Sequence, residues 1–245
     1  MTMIINPFED DYLKQEVDFM AIPEYDRDGV TVLHKKIVGR CDDYLNTNFR
    51  STDYEVPILY IDQELWMSLT FMEVESAYLP ITLAEGKVCM LGLGLGYSIL
   101  RAACKPEVTE IIVYENEPRI IQMFKDLFSD REGFEKISFV EGDARETFKG
   151  VKGDVAFVDI YQTLLPDEVI EDAINFQKDN DIGRYMFWGQ EKAILDYYNE
   201  TDDMFFDYIE KDYIKMWLKS GKQDLYRSHI SEEFGYDVLL ALGRI

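Results

Sequence analysis

Three glycines at alternate positions follow directly on an apolar stretch and could shape a ligand-binding turn. The stretch reads Val88-Cys89-Met90-Leu91, and Gly92, Gly94 and Gly96 come after it. Glycine adopts backbone conformations that other residues avoid, and it lets a ligand approach the main chain without a Cβ in the way. The residues beyond Gly96 suit a helix, whose first N–H groups attract electron-rich groups. The pattern therefore predicts a strand, a ligand-binding turn and a helix.

Glu115 ends the next apolar stretch, residues 111–115. In an open parallel sheet the end of the second strand lies beside the turn after the first. A carboxylate there can accept hydrogen bonds from both hydroxyls of a ribose. Enzymes that bind NAD share this feature, so Glu115 indicates a nucleoside without identifying it. Taken alone, an acid at the end of a strand is more often only a solvated residue.

Two further acids follow the next two apolar stretches. Asp143, in Gly142-Asp143-Ala144, could accept a hydrogen bond from an adenine amino group, with a neighbouring main-chain N–H against the ring. The alternative is that Asp143 caps a short helix beginning at Ala144. Asp159 could act as a general base. It is equally compatible with fixing its own loop or binding the cofactor.

From residue 88 onward, apolar strands alternate with amphipathic helices, which predicts an α/β fold with a mostly parallel sheet. This arrangement brings the glycines and the three acids to the carboxyl ends of successive strands, where open sheets bind ligands. A final strand, residues 236–242, is expected to run antiparallel at the far edge beside residues 224–230. The other predicted strands are residues 88–91, 111–115, 137–140, 155–159 and 184–188.

The first part of the chain differs in character, and we expect a β-rich extension over residues 1–86 before an α/β domain over residues 87–245. Residues 1–30 are acidic and read as irregular, because Pro7 and Pro23 interrupt any long helix. Residues 31–38 and 56–61 read as strands, and the second continues into residues 65–70 as a hairpin. A helix is expected over residues 71–84.

Composition restricts the partners more than the fold. The chain has 245 residues, enough for one large domain with an extension, and 25 basic against 48 acidic residues give a net charge of −23. Such a surface repels phosphate backbones, so we expect no nucleic-acid partner. No apolar run is long enough to span a membrane, no signal-peptide pattern is present, and three scattered cysteines fit the cytoplasm. His34 and His229 lack metal-ligand spacing, so no metal is expected.

On these motifs the sequence resembles the class I S-adenosylmethionine-dependent methyltransferases, over about residues 88–187. The resemblance implies a Rossmann-like domain and S-adenosylmethionine as cofactor. The family often has an acid two residues before the first glycine, where this chain has Met90. The cofactor-binding residues implied are Gly92, Gly94, Gly96, Glu115, Asn116, Asp143, Ala144 and Asp159.

Within that superfamily the sequence is most similar to the spermidine-synthase-like branch, in which a small β-region precedes the Rossmann-like domain. Residues 59–66 resemble its hairpin and residues 114–118 its second strand. The fourth strand of that branch ends in Asp-x-x-Asp-Pro, whereas this chain reads Asp159-Ile160-Tyr161-Gln162-Thr163. The first acid is kept and the second is not, which argues against a polyamine aminopropyltransferase.

The function expected is methyl transfer to a small-molecule or protein acceptor, with Asp159 as the catalytic base. Tyr161 and Trp188 could line the acceptor pocket, although packing is the commoner role of such residues. Two alternatives remain: a non-catalytic S-adenosylmethionine-binding partner subunit and an aminopropyltransferase-like enzyme. An NAD(P) oxidoreductase is disfavoured, because Tyr97 replaces the third glycine of the dinucleotide fingerprint. The sequence leaves a homodimer open.

Overall fold

The structure is a computed structural model, and it describes residues 11–38, 44, 51–164, 166 and 168–189. The chain forms two compact units. One comprises residues 10–160 and 176–188, and the other comprises residues 1–9, 161–175 and 189–245. Both sheets described below belong to the first unit. The expected boundary at residue 86 stays a prediction.

The N-terminal part forms a four-stranded antiparallel sheet in the order β1-β2-β3-β4. Strands β3 and β4 form the expected hairpin, and its two turn residues, Asp62 and Gln63, both have positive φ, as a tight two-residue turn requires. The elements of this part are α1 (Tyr12–Met20), β1 (Tyr25–Arg27), β2 (Val30–Lys36), β3 (Glu55–Ile61), β4 (Glu64–Ser68), α2 (Phe71–Ser76) and α3 (Tyr78–Leu83).

Helix α1 corrects the expectation that residues 1–30 are irregular. It lies between the two prolines and buries Leu13, Glu16 and Met20, which share one face. Arg101 donates two hydrogen bonds to the Glu16 carboxylate, at 2.6 and 2.8 Å. Packing of this kind, more than intrinsic propensity, stabilises short helices. The helix therefore depends on contacts that the local sequence does not reveal.

The single helix expected over residues 71–84 is divided into α2 and α3 at Ala77. Pro80 stands in the first turn of α3 and has no N–H, so it cannot donate to the carbonyl of Ser76, as a continuous helix would need. The helical hydrogen bonding is therefore interrupted between α2 and α3. This change matters because α2 carries an acid of the candidate site.

Within the described residues, the larger sheet has five strands, all parallel, in the order β7-β6-β5-β8-β9. The five strands expected from residue 88 onward are confirmed, with bounds that differ by a few residues. The expected antiparallel strand at residues 236–242 and its partner at residues 224–230 lie outside the described residues. The elements are β5 (Gly86–Leu91), α4 (Tyr97–Ala103), β6 (Val108–Glu115), α5 (Pro118–Phe128), β7 (Ile137–Glu141), α6 (Ala144–Thr147), β8 (Lys152–Val158), α7 (Glu168–Asp179) and β9 (Asp181–Phe187).

This strand order is Rossmann-like and places a crevice between β5 and β8. The chain leaves β5 toward β6 on one side, whereas β8 pairs with β5 on the other side. Open sheets bind ligands where the strand order reverses in this way. Strand β5 is fully buried from Val88 to Leu91, so it forms a rigid base for the loop that follows. No helix in the described part of the chain is long and apolar enough to cross a membrane.

Candidate functional site

The loops after β5 and β8 meet at this crevice. The Asp159 N–H donates to the Leu91 carbonyl at 2.8 Å, and the Gly92 N–H donates to the Tyr114 carbonyl at 2.8 Å. A Cβ on Gly92 would overlap the main-chain oxygen of Asp159. The absence of a side chain at Gly92 therefore lets the glycine loop, residues 92–96, contact the loop that carries Asp159.

All three glycines of the loop have positive φ: 101° for Gly92, 51° for Gly94 and 78° for Gly96. From the sequence, these glycines are expected to leave room for a ligand. The structure adds that each also makes room for a protein neighbour. A Cβ on Gly94 would overlap the Met67 sulfur, and one on Gly96 would overlap the Phe124 ring. The loop is thus shaped by packing as well as by the space above it.

Met67 of strand β4 lies directly on the glycine loop. The Leu95 N–H donates to the Met67 Sδ at 3.1 Å. Strict alternation would place Leu65 and Met67 on the same face of β4. An irregularity between Leu59 and Tyr60 shifts the register, so Leu65 pairs with Tyr60 and Met67 pairs with Leu59. Leu65 is consequently exposed, whereas Met67 turns toward the loop. The position of Met67 could not be predicted from the sequence, because the shift in register has no sequence signal.

Arg119 of α5 holds the β3–β4 hairpin in place through hydrogen bonds to its turn. Its guanidinium donates to both carboxylate oxygens of Asp62 at the hairpin turn, at 2.9 and 3.1 Å. It also donates to both oxygens of Glu117 at 2.8 Å. The hydrogen bonds from Arg119 lower the pKa of Asp62 and of Glu117. The hairpin is therefore held at two places, by Arg119 at its turn and by Met67 on the glycine loop.

Glu115 is only 6% exposed and binds main-chain N–H groups on both sides. Its Oε2 accepts from Leu93 at 2.9 Å, its Oε1 accepts from Glu117 at 2.8 Å, and the Asn116 N–H donates to it as well. Burial raises the pKa of Glu115, and these hydrogen bonds oppose the rise. Glu115, which was expected to bind a ribose, thus connects the glycine loop to the start of α5 through these hydrogen bonds. The side chain of Asn116 is exposed beside it.

Asp143 lies at the carboxyl end of β7, as expected, and caps helix α6. Its Oδ1 accepts a hydrogen bond from the Arg145 N–H at 2.8 Å. Asp143 is exposed, whereas Ala144 is buried. The helix-capping alternative is therefore present in the structure, and the adenine contact stays a prediction.

A second acid, Glu73 of α2, lies near Asp159 and was not identified from the sequence. Protein atoms surround both carboxyl groups, although part of each residue still reaches solvent. Burial raises the pKa of Glu73, and the negative charge of Asp159 raises it further. Burial also raises the pKa of Asp159. Two such carboxyls share protons as one unit and hold at least one proton more readily than an exposed acid does.

This pair predicts how stability depends on pH. Because both pKa values are raised in the folded state, the pair favours folding at acidic pH. That contribution is lost as the pH rises above the ordinary carboxyl range and through the raised values. We expect Glu73→Gln to match the wild type in melting temperature at about pH 5 and to exceed it at about pH 9. Thermal unfolding across this range measures the difference.

The exposed acid Glu64 supplies the control for that experiment. Glu64 lies on β4 of the hairpin. Glu64→Gln removes one negative charge, as Glu73→Gln does, but leaves Glu73 and Asp159 unchanged. The melting temperature of Glu64→Gln should therefore equal that of the wild type at every pH. If the melting temperatures of Glu73→Gln and Glu64→Gln changed with pH in the same way, the result would contradict the burial of Glu73.

The three aromatic residues considered from the sequence all form hydrogen bonds within the protein; they are Tyr97, Trp188 and Tyr161. The Tyr97 hydroxyl bonds with Tyr12 and Glu16 of α1, so its bulk is directed into the core and does not fill the space above the loop. The replacement of the third fingerprint glycine by Tyr97 therefore does not by itself disfavour a dinucleotide. The Trp188 Nε1 donates to the Ser76 Oγ at 2.9 Å. The Tyr161 hydroxyl donates to Asp172 at 3.1 Å.

Metal-ligand groups were not expected from the sequence. Among the described residues, no group of three or more His, Cys, Asp or Glu side chains is placed to hold a metal ion. His34 belongs to β2 in the N-terminal sheet, and His229 lies outside the described residues.

No protein-family model and no curated protein matches the chain. Among solved structures, a precorrin 8W decarboxylase from Methanobacterium thermoautotrophicum matches with 19% identity over 52% of this chain and 69% of its own, at a TM-score of 0.39. A spermidine synthase in complex with the transition state analogue AdoDATO matches with 14% identity over 65% and 52%, at 0.39. The spermidine synthase from Thermotoga maritima matches with 15% identity over 63% and 52%, at 0.37.

The matched part of this chain spans about half the length of the two spermidine synthases, 52% in each case. TM-scores of this size identify neither a family nor an activity for this chain.

Proposed function

We propose that the chain binds S-adenosylmethionine across the carboxyl ends of β5, β6, β7 and β8 and transfers its methyl group to a small-molecule or protein acceptor. The observation that carries the proposal is the direct contact between Gly92 and the main chain of Asp159 at the switch point of the sheet. It places a strand-end acid against a glycine loop where parallel sheets of this order bind ligands.

The residues present fit an adenosyl ligand in two respects. Glu115 keeps acceptor capacity, because a carboxylate has about four lone-pair positions and three main-chain donors use it. The Leu95 N–H has only a thioether as acceptor, and sulfur accepts weakly, so a ligand oxygen can replace it. We assign Glu115 to the ribose, Asp143 and Ala144 to the adenine, and the glycine loop with Asn116 to the rest of the ligand.

The cofactor supplies a methyl group on a sulfonium centre, and the protein's task is to orient the acceptor and exclude water. Asp159 would take a proton from an acceptor that arrives protonated. Its raised pKa suits a base that works near neutral pH. Glu73 would keep the pair partly protonated and thereby set how readily Asp159 ionises. The net charge of −23 supports an acceptor other than nucleic acid.

A non-catalytic partner subunit that keeps the fold is the second candidate, and Met90 favours it. Met90 is buried in β5 at the position where the resembled family often has an acid. An aminopropyltransferase-like enzyme is less well supported, since Gln162 and Thr163 replace the second acid and the proline of that motif. Cofactor affinity separates the readings, because binding that is millimolar or absent would favour the subunit.

Calorimetric titration of the full chain with S-adenosylhomocysteine tests the proposal, and Gly94→Ala is the informative variant. A Cβ there would meet only the flexible end of Met67, so the fold should tolerate it. It would also enter the space above the loop. We expect wild-type binding in the micromolar range and at least about tenfold weaker binding in the variant.

Gly150→Ala is the matched control. Gly150 also has positive φ, but no atom lies within 4 Å of its Cβ position. Its affinity should equal that of the wild type. Tighter binding of NAD than of the adenosyl compounds would refute the proposed function.

A further inference from the structure

The main-chain donors of the glycine loop are not equally satisfied. The Gly92 N–H donates to the Tyr114 carbonyl and the Gly96 N–H to the Leu93 carbonyl, both at 2.8 Å. The Leu93 N–H donates to the Glu115 carboxylate at 2.9 Å. Only sulfur, the Met67 Sδ, accepts from Leu95. A thioether is a weak acceptor, whereas nearly every buried main-chain N–H in proteins binds an oxygen. Leu95 is therefore the buried donor of this loop with most to gain from a ligand.

Met67 also fills the space over Gly94. Its sulfur and terminal methyl lie where a Cβ of Gly94 would point. The residue is partly exposed and lies on β4, one of the two edge strands of its sheet among the described residues. Methionine is flexible, with three rotatable side-chain bonds, so its end can leave without moving the strand.

We propose that Met67 is a built-in competitor of the ligand: its thioether binds the Leu95 N–H in the empty site and is displaced by an oxygen acceptor of the incoming ligand. This rests on the proposed function, which brings the carboxylate of the amino-acid portion to the glycine loop. A carboxylate makes a charge-assisted hydrogen bond to an N–H, which is stronger than the bond to sulfur that it replaces. Met67 thereby lowers affinity for every ligand that must displace it, and only a ligand with such an acceptor regains a hydrogen bond from the Leu95 N–H in its place.

The competitor has a measurable effect, because a ligand that binds only the open form has its affinity reduced by the fraction of molecules in that form. We expect Met67→Ala to bind S-adenosylhomocysteine roughly three to ten times more tightly than the wild type does. Met67→Leu keeps the bulk but loses the acceptor, so its affinity should lie between the two. Leu65→Ala, on the same strand but facing away from the loop, is the control and should bind as the wild type does.

The amide of Leu95 gives a readout that does not depend on activity. In the ligand-free protein, Met67→Ala should make this amide exchange with solvent faster. On adding S-adenosylhomocysteine, the amide proton should move downfield as oxygen replaces sulfur, while the Met67 methyl resonance moves toward its solvent-exposed position. With 5′-methylthioadenosine, which has no carboxylate, the downfield shift should be absent.

The outcomes separate the two proposals. If neither adenosyl compound binds any variant, the proposed function fails, and the exchange rate of Leu95 still tests the contact with Met67. S-adenosylhomocysteine could bind while Met67→Ala leaves its affinity unchanged or weakens it. That result would refute the proposal that Met67 competes with the ligand, whereas the proposed function would stand. Unchanged exchange of Leu95 in Met67→Ala would equally refute the proposal that Met67 competes.

Discussion

Glu115→Ala is expected to lower the free energy of unfolding by about 3 kcal/mol and to weaken the binding of S-adenosylhomocysteine at least about tenfold. The carboxylate accepts from the main-chain N–H groups of Leu93, Asn116 and Glu117 in a buried position. Each hydrogen bond to a charged group is worth roughly 1.5–3 kcal/mol, and water entering the vacated space would restore part of it. Urea unfolding and calorimetry measure the two effects.

The exposed acid Glu110 provides the control, because it lies on the same strand and pairs with Lys87 at the surface, at 3.3 Å. Glu110→Gln should change neither stability nor affinity appreciably. Comparing the affinities for adenosine and 2′-deoxyadenosine distinguishes two roles of Glu115, supporting the glycine loop and binding the ribose. The wild type should prefer adenosine, and Glu115→Ala should lose that preference. A preference that survives in the variant would remove the ribose assignment.

Gly92→Ala should be at least as damaging, with an expected loss of about 3 kcal/mol or more in the free energy of unfolding. The new Cβ would overlap the main-chain oxygen of Asp159, and neither strand end can turn away, because Asp159 is itself bonded to Leu91. For a protein of this size, the loss corresponds to a fall in melting temperature of roughly 10 °C. It would also separate Asp159 from the glycine loop, so ligand binding should be lost.

Gly150→Ala isolates the contribution of backbone conformation. Its φ of 68° is also positive, but the space around it is open. Gly150→Ala should therefore lower the free energy of unfolding only by the strain of alanine in a left-handed backbone conformation, about 1–2 kcal/mol. Equal destabilisation by Gly92→Ala and Gly150→Ala would show that the close approach to Asp159 contributes nothing.

The sequence predicted the parallel strands and the hairpin because their signals are local. Continuous apolar stretches specify strands covered on both sides, and the turn at Asp62 and Gln63 lies between two alternating stretches. Helix α1 was missed for the opposite reason, since its stability depends on Arg101 far along the chain. The break at Ala77 has a local cause in Pro80, which the helical pattern obscured.

The candidate site was predictable in position but not in detail. The same residue types bind ligands and main-chain groups, so the sequence could not show that Glu115 holds the glycine loop or that Asp143 caps α6. Glu73 and Met67 were missed because each reaches the site only through tertiary packing. Glu73 belongs to an ordinary amphipathic helix, and Met67 turns inward only through a shift in strand register.

The docking of α1 on α4 has a consequence for how the protein folds. The contact between Glu16 and Arg101 joins residues 85 positions apart, and Tyr97, at the start of α4, completes its hydrogen bonds only when α1 is in place. Contacts between distant segments form slowly, because closing the long intervening chain costs entropy before the contact is gained. The helix that follows the glycine loop therefore gains its last side-chain contacts only when α1 docks, so the full ability to bind ligand should not precede that docking.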